Sequence, residues 1–277
     1  MKLPARLNPR LAVPATTAAT AVTCAQGLVP SADDEAIRME RARVTAAYHR
    51  RHPWEVTSDL YAPWNPATIL AASQRKRLAA MTMKRLGVFP VRGSQCLEVG
   101  CGVRGWLGEL IDWGVREVDL HGIDLDAARI ARGREALPAA DLQVGDVTTL
   151  PWDDGTFALV VASTLFTSIL DPRVRRAAAG EICRVIAPGG CLLWYDFAVN
   201  NPRNPDVRRV TRHELRELFP ELHGPIRSCT LAPPLARRIV SEHRWSWVVA
   251  AGLEAVGFLQ THLLAVLVKK TPQVTHA

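Results

Sequence analysis

Three short stretches of the chain place an acid and glycine at the end of an apolar run. The first is Cys96-Leu97-Glu98-Val99-Gly100-Cys101-Gly102-Val103-Arg104-Gly105. Glycine takes positive φ without steric cost and lets backbone approach a ligand closely. The second is His121-Gly122-Ile123-Asp124-Leu125-Asp126. A carboxylate at such a strand end can accept hydrogen bonds from both hydroxyls of a ribose. Either acid can instead cap the helix that follows. Asp126 fits the cap position, whereas Asp124, one pleat earlier, is better placed for a ligand. The third is Val144-Gly145-Asp146-Val147, and Arg184-Val185-Ile186-Ala187-Pro188-Gly189-Gly190 leads into a further apolar run. A lone G-x-G turn can also be a tight strand–helix connection with no ligand, so the order of these stretches matters more than any one of them.

The elements that carry them alternate. Apolar strand-like runs span 95–99, 118–123, 141–144, 158–162 and 191–195, with helical stretches at 106–113, 126–136 and 173–185 between them. Near-continuous apolar strands alternating with helices predict a parallel sheet covered on both faces. In such sheets ligands bind at the carboxyl ends of the strands, where the strand order reverses. Two more strands are expected at 226–231 and 262–268, with a helical insertion at about 232–258. Ahead of the sheet, 34–53 reads as a polar helix ending before Pro53, 54–66 as a loop, and 67–86 as a helix with Gly87 at its C-cap. The organisation is then a flexible tail at 1–30, a helical lid segment at 31–90 and a main domain at 91–277.

Composition narrows the function classes. The 277 residues are 48% hydrophobic and 22% charged. That balance excludes a disordered chain, collagen and a coiled coil. The net charge of +7 could serve nucleic acid or an anionic surface. The basic residues are scattered, however, with no Lys/Arg block interleaved with aromatics, so no nucleic acid partner is expected. The six cysteines form no C-x-x-C pair, and no His pair has zinc spacing. No metal is expected, and the thiols read as buried and reduced, in keeping with a cytoplasmic protein. The N-terminus faintly resembles a secretory signal, but it is Thr-rich and broken by Pro14. Residues 245–268 have the length of a bilayer span. Glu254, Gln260, Thr261 and His262 interrupt that stretch, so a soluble amphipathic helix and a buried strand are expected there, with no membrane span.

Taken in order, the E-x-G-C-G turn, Asp124, Asp146 and the R-V-x-x-P-G-G lead-in resemble the class I S-adenosylmethionine (SAM) dependent methyltransferases of the bacterial small-molecule type. The resemblance runs from about Gln95 to Phe197. It implies an α/β fold: a Rossmann-like, doubly wound, seven-stranded sheet, mostly parallel with an antiparallel C-terminal strand. It also implies SAM as cofactor and a small-molecule acceptor methylated at oxygen or nitrogen, in secondary-metabolite or glycan biosynthesis. By position, Glu98, Gly100, Cys101 and Gly102 match residues that approach the methionine portion and sulfonium. Asp124 matches the ribose acid, Leu125 the residue beside the adenine, and Asp146 the acceptor for the adenine amino group, with the Val147 backbone nearby. Ser163, after the fourth strand, matches a further cofactor contact. One departure stands out: the third family glycine falls on Arg104, with Gly105 one place later. Arg104 then either approaches the SAM carboxylate or is a surface arginine.

The acceptor side is less marked. Many relatives carry a His just after the fourth strand, where this chain has Ser163-Thr164-Leu165-Phe166-Thr167-Ser168. Phe166 and Thr167 are candidates for the acceptor pocket, and Phe166 suits the core equally well. After the fifth strand comes Tyr195-Asp196-Phe197-Ala198-Val199-Asn200-Asn201-Pro202-Arg203-Asn204. Asp196 or Tyr195 could act as the base. Asn200, Asn201, Arg203 and Asn204 could recognise polar groups, or build turns on their own backbone. Tyr61, with Trp64 and Asn65, is the lid candidate that would touch the acceptor, and Tyr48, His52 and Trp54 are further lid residues. His213 reads as a helix-surface residue. Three readings stay behind the leading one. The first is a SAM-fold partner or regulator protein without catalysis. The second is an NAD(P) oxidoreductase, against which Gly145-Asp146 and Pro188-Gly189-Gly190 argue. The third is a methyltransferase acting on a macromolecule, RNA or protein, which a steeply salt-dependent affinity for RNA would favour.

Overall fold

The computed structural model describes residues 31–57, 59, 62–201, 204–241 and 243–271, and their side chains except at 51–57. The expectations for residues 1–30, Tyr61, Arg203 and the side chains of His52 and Trp54 lie outside this set.

Helix α1 (Ala32–Thr57) opens with a reciprocal cap. Ser31 Oγ accepts from Asp34 N–H at 3.1 Å, and an Asp34 carboxylate oxygen accepts from Ser31 N–H at 3.1 Å. The helix runs through Pro53 rather than stopping before it. A proline inside a helix forfeits one backbone hydrogen bond, a cost that does not by itself end the helix. Helix α2 (Pro66–Leu86) starts where Asn65 Oδ1 accepts from Ala67 N–H, and it ends at Gly87 in the left-handed region, φ 72°. Both ends follow ordinary capping chemistry.

The sheet then builds in the expected order. Strands β1 (Cys96–Val99), β2 (Leu120–Asp124), β3 (Asp141–Val144), β4 (Phe157–Ser163) and β5 (Ile186–Phe197) are all parallel. Helices α3 (Leu107–Asp112), α4 (Ala127–Ala136) and α5 (Pro172–Val185) make the crossovers. After β5 come α6 (Arg212–Leu218), β6 (Leu222–His223), β7 (Ile226–Leu231), α7 (Pro233–Ile239), α8 (Arg244–Glu254) and β8 (Gln260–Lys269). The strand order is β3-β2-β1-β4-β5-β8, with β8 antiparallel to β5. Both β6 and β7 lie on the far side of β8. The sheet therefore counts eight strands instead of the expected seven, because the edge strand is broken at Gly224-Pro225. Pro225 has no N–H to donate, and a Cβ at position 224 would come within 2.0 Å of Val266 O.

Two apolar layers sandwich the sheet. Leu97, Val99, Val160, Ala162, Leu192 and Trp194 face α5 with Val174, Ala178 and Ile182. Cys96, Leu159, Val161, Leu193 and Tyr195 face α2 and α3 with Ala79, Met83, Leu107 and Leu110. Strand order reverses between β1 and β4, which opens a crevice at the carboxyl ends of the central strands.

Candidate functional site

The turn after β1 is held by backbone. Gly100, at φ 72°, and Cys101 both donate to Ile123 O, at 2.8 and 3.1 Å. Gly102 N–H donates to Asp124 Oδ2 at 2.9 Å, and Asp126 N–H donates to Asp124 Oδ1 at 2.9 Å. Asp124 thus links the tip of β2 to the glycine turn. Asp126 caps α4 through Ala128 and Arg129 N–H, as its spacing suggested. On the next strand, Asp146 Oδ1 accepts from both the N–H and the hydroxyl of Thr148 at 2.9 Å.

These tips open on a narrow cleft of about 60 Å³ that is partly open to solvent. Gly100, Asp124, Leu125, Asp146 and Val147 line one side. Helix α1 roofs it with Ile37, Glu40, Arg41, Val44 and Tyr48, and Leu165, Ile169 and Val174 complete the wall. Tyr48 was expected in a lid and does lie over the cavity, while the other α1 residues carried no signal in sequence beyond helicity. Glu40 anchors the roof by accepting from Arg43 and from Leu170 N–H. Burial opposes its ionisation, but these donors outweigh burial and hold its carboxyl below the usual range.

Several expected site residues sit elsewhere. Glu98 does not line the cavity. Its carboxylate turns under the glycine turn and accepts from Trp106 N–H at 2.7 Å and Leu107 N–H at 3.2 Å, at the start of α3. Full burial pushes its pKa up to about 8, against the pull of those two donors. A Cβ on residue 105 would lie 2.3 Å from Glu98 Oε2, and Gly105 has φ +43°. The displaced third glycine is therefore required by Glu98. Arg104 is exposed, with its guanidine Nε 2.4 Å from where a Cβ on Gly108 would sit, so it lies along α3. Cys101 is buried, its sulfur filling the space that Gly122 leaves. Gly102 has open space on its Cβ side.

The acceptor-side expectations need correcting. Asp196 is fully buried and does not reach the cavity. Its carboxylate accepts from Thr167 N–H at 3.0 Å, Thr167 Oγ1 at 2.5 Å and Phe197 N–H at 2.9 Å. It therefore holds the turn after β4 against β5, and Thr167 is its buried partner rather than a pocket residue. Burial raises the Asp196 pKa to about 6. Phe166 is core, packed edge-on against Phe219 at 5.7 Å. Tyr195 points to the opposite face of the sheet, where its hydroxyl meets Thr230 Oγ1 at 2.8 Å. Asn200 Oδ1 accepts from Arg209 N–H at 2.8 Å and Asn201 O from Asn204 N–H at 3.0 Å. Both are turn chemistry. Ser163 is half-buried at the end of β4, outside the cavity wall. His213 is exposed beside Glu217, as expected.

One group escaped the sequence altogether. Arg75, on α2, lies over the rings of Trp106 at 5.3 Å and Tyr195 at 5.7 Å. Both distances suit a cation–π contact. Its Nε and Trp106 Nε1 are buried with no hydrogen-bond partner among the described residues. Tyr195 stacks on His262 at 4.8 Å. Burial, with the Arg75 charge, drives the His262 pKa down to about 3. Thr164 and Thr230, both β-branched, have positive φ of 53° and 67° at this same carboxyl edge. Such strain gathers at functional sites.

Residues 96–190 match the family model described as a methyltransferase domain. A phthiotriol/phenolphthiotriol dimycocerosates methyltransferase of Mycobacterium tuberculosis is 30% identical over 175 residues, covering 62% of this chain and 63% of that protein. A demethylmenaquinone methyltransferase of Renibacterium salmoninarum is 27% identical, over 56% of this chain and 61% of its own. The chain thus spans under two thirds of the length of these curated relatives. Geranyl diphosphate C-methyltransferase from Streptomyces coelicolor shares the methyltransferase fold, with a TM-score of 0.51, 17% identity and 70% and 80% of the two chains covered.

Proposed function

We propose that the chain is a SAM-dependent methyltransferase acting on a small molecule at oxygen or nitrogen. The observation that carries this reading is the pair of carboxylates, Asp124 and Asp146, at the tips of adjacent parallel strands on one cavity beside a glycine turn. Their free acceptor capacity suits a nucleoside. Each Asp124 oxygen accepts one backbone N–H and keeps a lone pair for a ribose hydroxyl. Asp146 Oδ2 is available to the adenine amino group, Leu125 would pack beside the ring, and the Val147 backbone lies next to it. The open side of Gly102 and the cation of Arg75 suit the methionine portion. Bound SAM would supply a methyl group already activated by its sulfonium.

The chain's own contribution is then positioning and water exclusion beneath α1. The apolar wall of Ile37, Val44, Leu165, Ile169 and Val174 supports an acceptor with an apolar body. The relatives named for lipid and quinone acceptors point the same way. The test is incubation of purified protein and deuterated-methyl SAM with host-strain extracts, read by mass spectrometry. A new labelled product identifies the acceptor. Tight SAM binding with no labelled product would favour a non-catalytic SAM-binding partner instead.

A further inference from the structure

Helix α8 is exposed yet has no charged outer face. Its inner side, Trp247, Ala250 and Leu253, packs with α7 and the first turns of α2. Its outer side presents Trp245 at 71% exposure, Val248 at 60% and Val249 at 53%, and Phe258 follows at 87%. A surface helix normally backs its apolar stripe with charged residues. A helix apolar on both sides occurs where both sides are covered. Exposed aromatics concentrate at this corner: among the described residues, Trp64, Trp245 and Phe258 are the exposed large aromatic side chains, and Trp64 stands just before α2.

The rim is cationic. Arg244 opens α8, with its guanidinium 6.0 Å from the Trp245 ring centroid, and Arg238 is exposed at the end of α7. Glu254, the acid among the described residues of α7 and α8, is paired with Arg77. We propose that the outer face of α8, with Phe258, docks on the surface of an anionic lipid bilayer. Tryptophan and arginine both join an apolar body to a polar tip, which suits the boundary between acyl chains and phosphates. The 11 residues of α8 span about 16 Å, so the helix lies in the interface and does not cross it. Charge argues against a second copy as the cover, because an isologous contact would bring Arg238 and Arg244 of both copies together. The chain's net charge of +7 adds long-range attraction to an anionic leaflet. This inference does not depend on the methyltransferase reading.

The test is sedimentation of the full chain with vesicles of phosphatidylglycerol and phosphatidylcholine, and with phosphatidylcholine alone. The expected result is binding to the anionic vesicles that weakens with salt. The double variant W245S/F258S should lower partitioning about tenfold or more. The double variant R238Q/R244Q should lower it about fivefold per arginine. Neither should move the thermal midpoint, since these side chains point away from the fold. Absence of binding to either vesicle, or binding unchanged in both variants, would overturn the proposal. So would a solution dimer that W245S/F258S splits, which would make the cover a second copy.

Discussion

Replacing Asp124 with alanine removes the one side chain that serves both the glycine turn and the nucleoside pocket. Its two oxygens accept from Gly102 and Asp126 N–H at 2.9 Å each, and each oxygen keeps a further lone pair for another donor. Hydrogen bonds to a charged group contribute about 1.5–3 kcal/mol each, so two ribose hydroxyls account for about 3–6 kcal/mol. That corresponds to a loss of affinity of about a hundredfold to ten-thousandfold. Asp124→Asn separates the two roles. Its amide oxygen can replace one acceptor, but its NH2 group would face a backbone donor. The asparagine variant should therefore weaken binding by about ten- to hundredfold. Isothermal titration with S-adenosylhomocysteine, on variants whose circular dichroism matches the parent, reads this without turnover. An Asp124→Ala protein that binds within about threefold of the parent would refute the ribose assignment, and with it the cavity as cofactor site.

Asp196→Asn tests a buried charge. Burial raises the folded pKa from 3.8 to about 6, so the native state holds the proton more tightly than the unfolded chain. Stability is then fully present below about pH 4 and falls by about 3 kcal/mol as pH rises through about 6. Urea unfolding across that window should show a steep fall in the parent and a shallower one in the variant, where buried Glu98, with its pKa raised to about 8, still contributes, and parallel profiles would assign the whole slope to another group. Gly105→Ala puts a Cβ 2.3 Å from the Glu98 carboxylate at φ +43°. It should cost about 1–3 kcal/mol and lower cofactor affinity, and an unchanged melting temperature would show that Glu98 moves aside freely. Arg75→Met should weaken SAM by about tenfold while leaving decarboxylated SAM unaffected. Equal losses for both ligands would remove Arg75 from the methionine subsite. Phe166→Ala should destabilise by about 3–5 kcal/mol in thermal unfolding without changing cofactor affinity, as expected for a core ring.

The amino-acid sequence by itself determined the rhythm of strand, turn and helix, and the places where that rhythm turns. Apolar runs mark β1 to β5, Asp126 marks a helix start, Gly87 marks a helix end, and Asp124 and Asp146 mark strand tips. Each follows from backbone geometry or capping within a few residues. The direction and depth of side chains depended on the tertiary structure. Tyr195 and Asp196 are neighbours at one strand end, yet the pleat sends them to opposite faces, Tyr195 under α2 and Asp196 toward α5, and the cavity lies beyond both. Glu98 lost its expected place because α3 brings two N–H donors back over it. The α1 roof and Arg75 come from segments far from the strands in sequence, and no local pattern encodes which helix lands on which sheet edge. Packing of the two apolar layers decides that, since it balances burial over the whole chain rather than within any one motif.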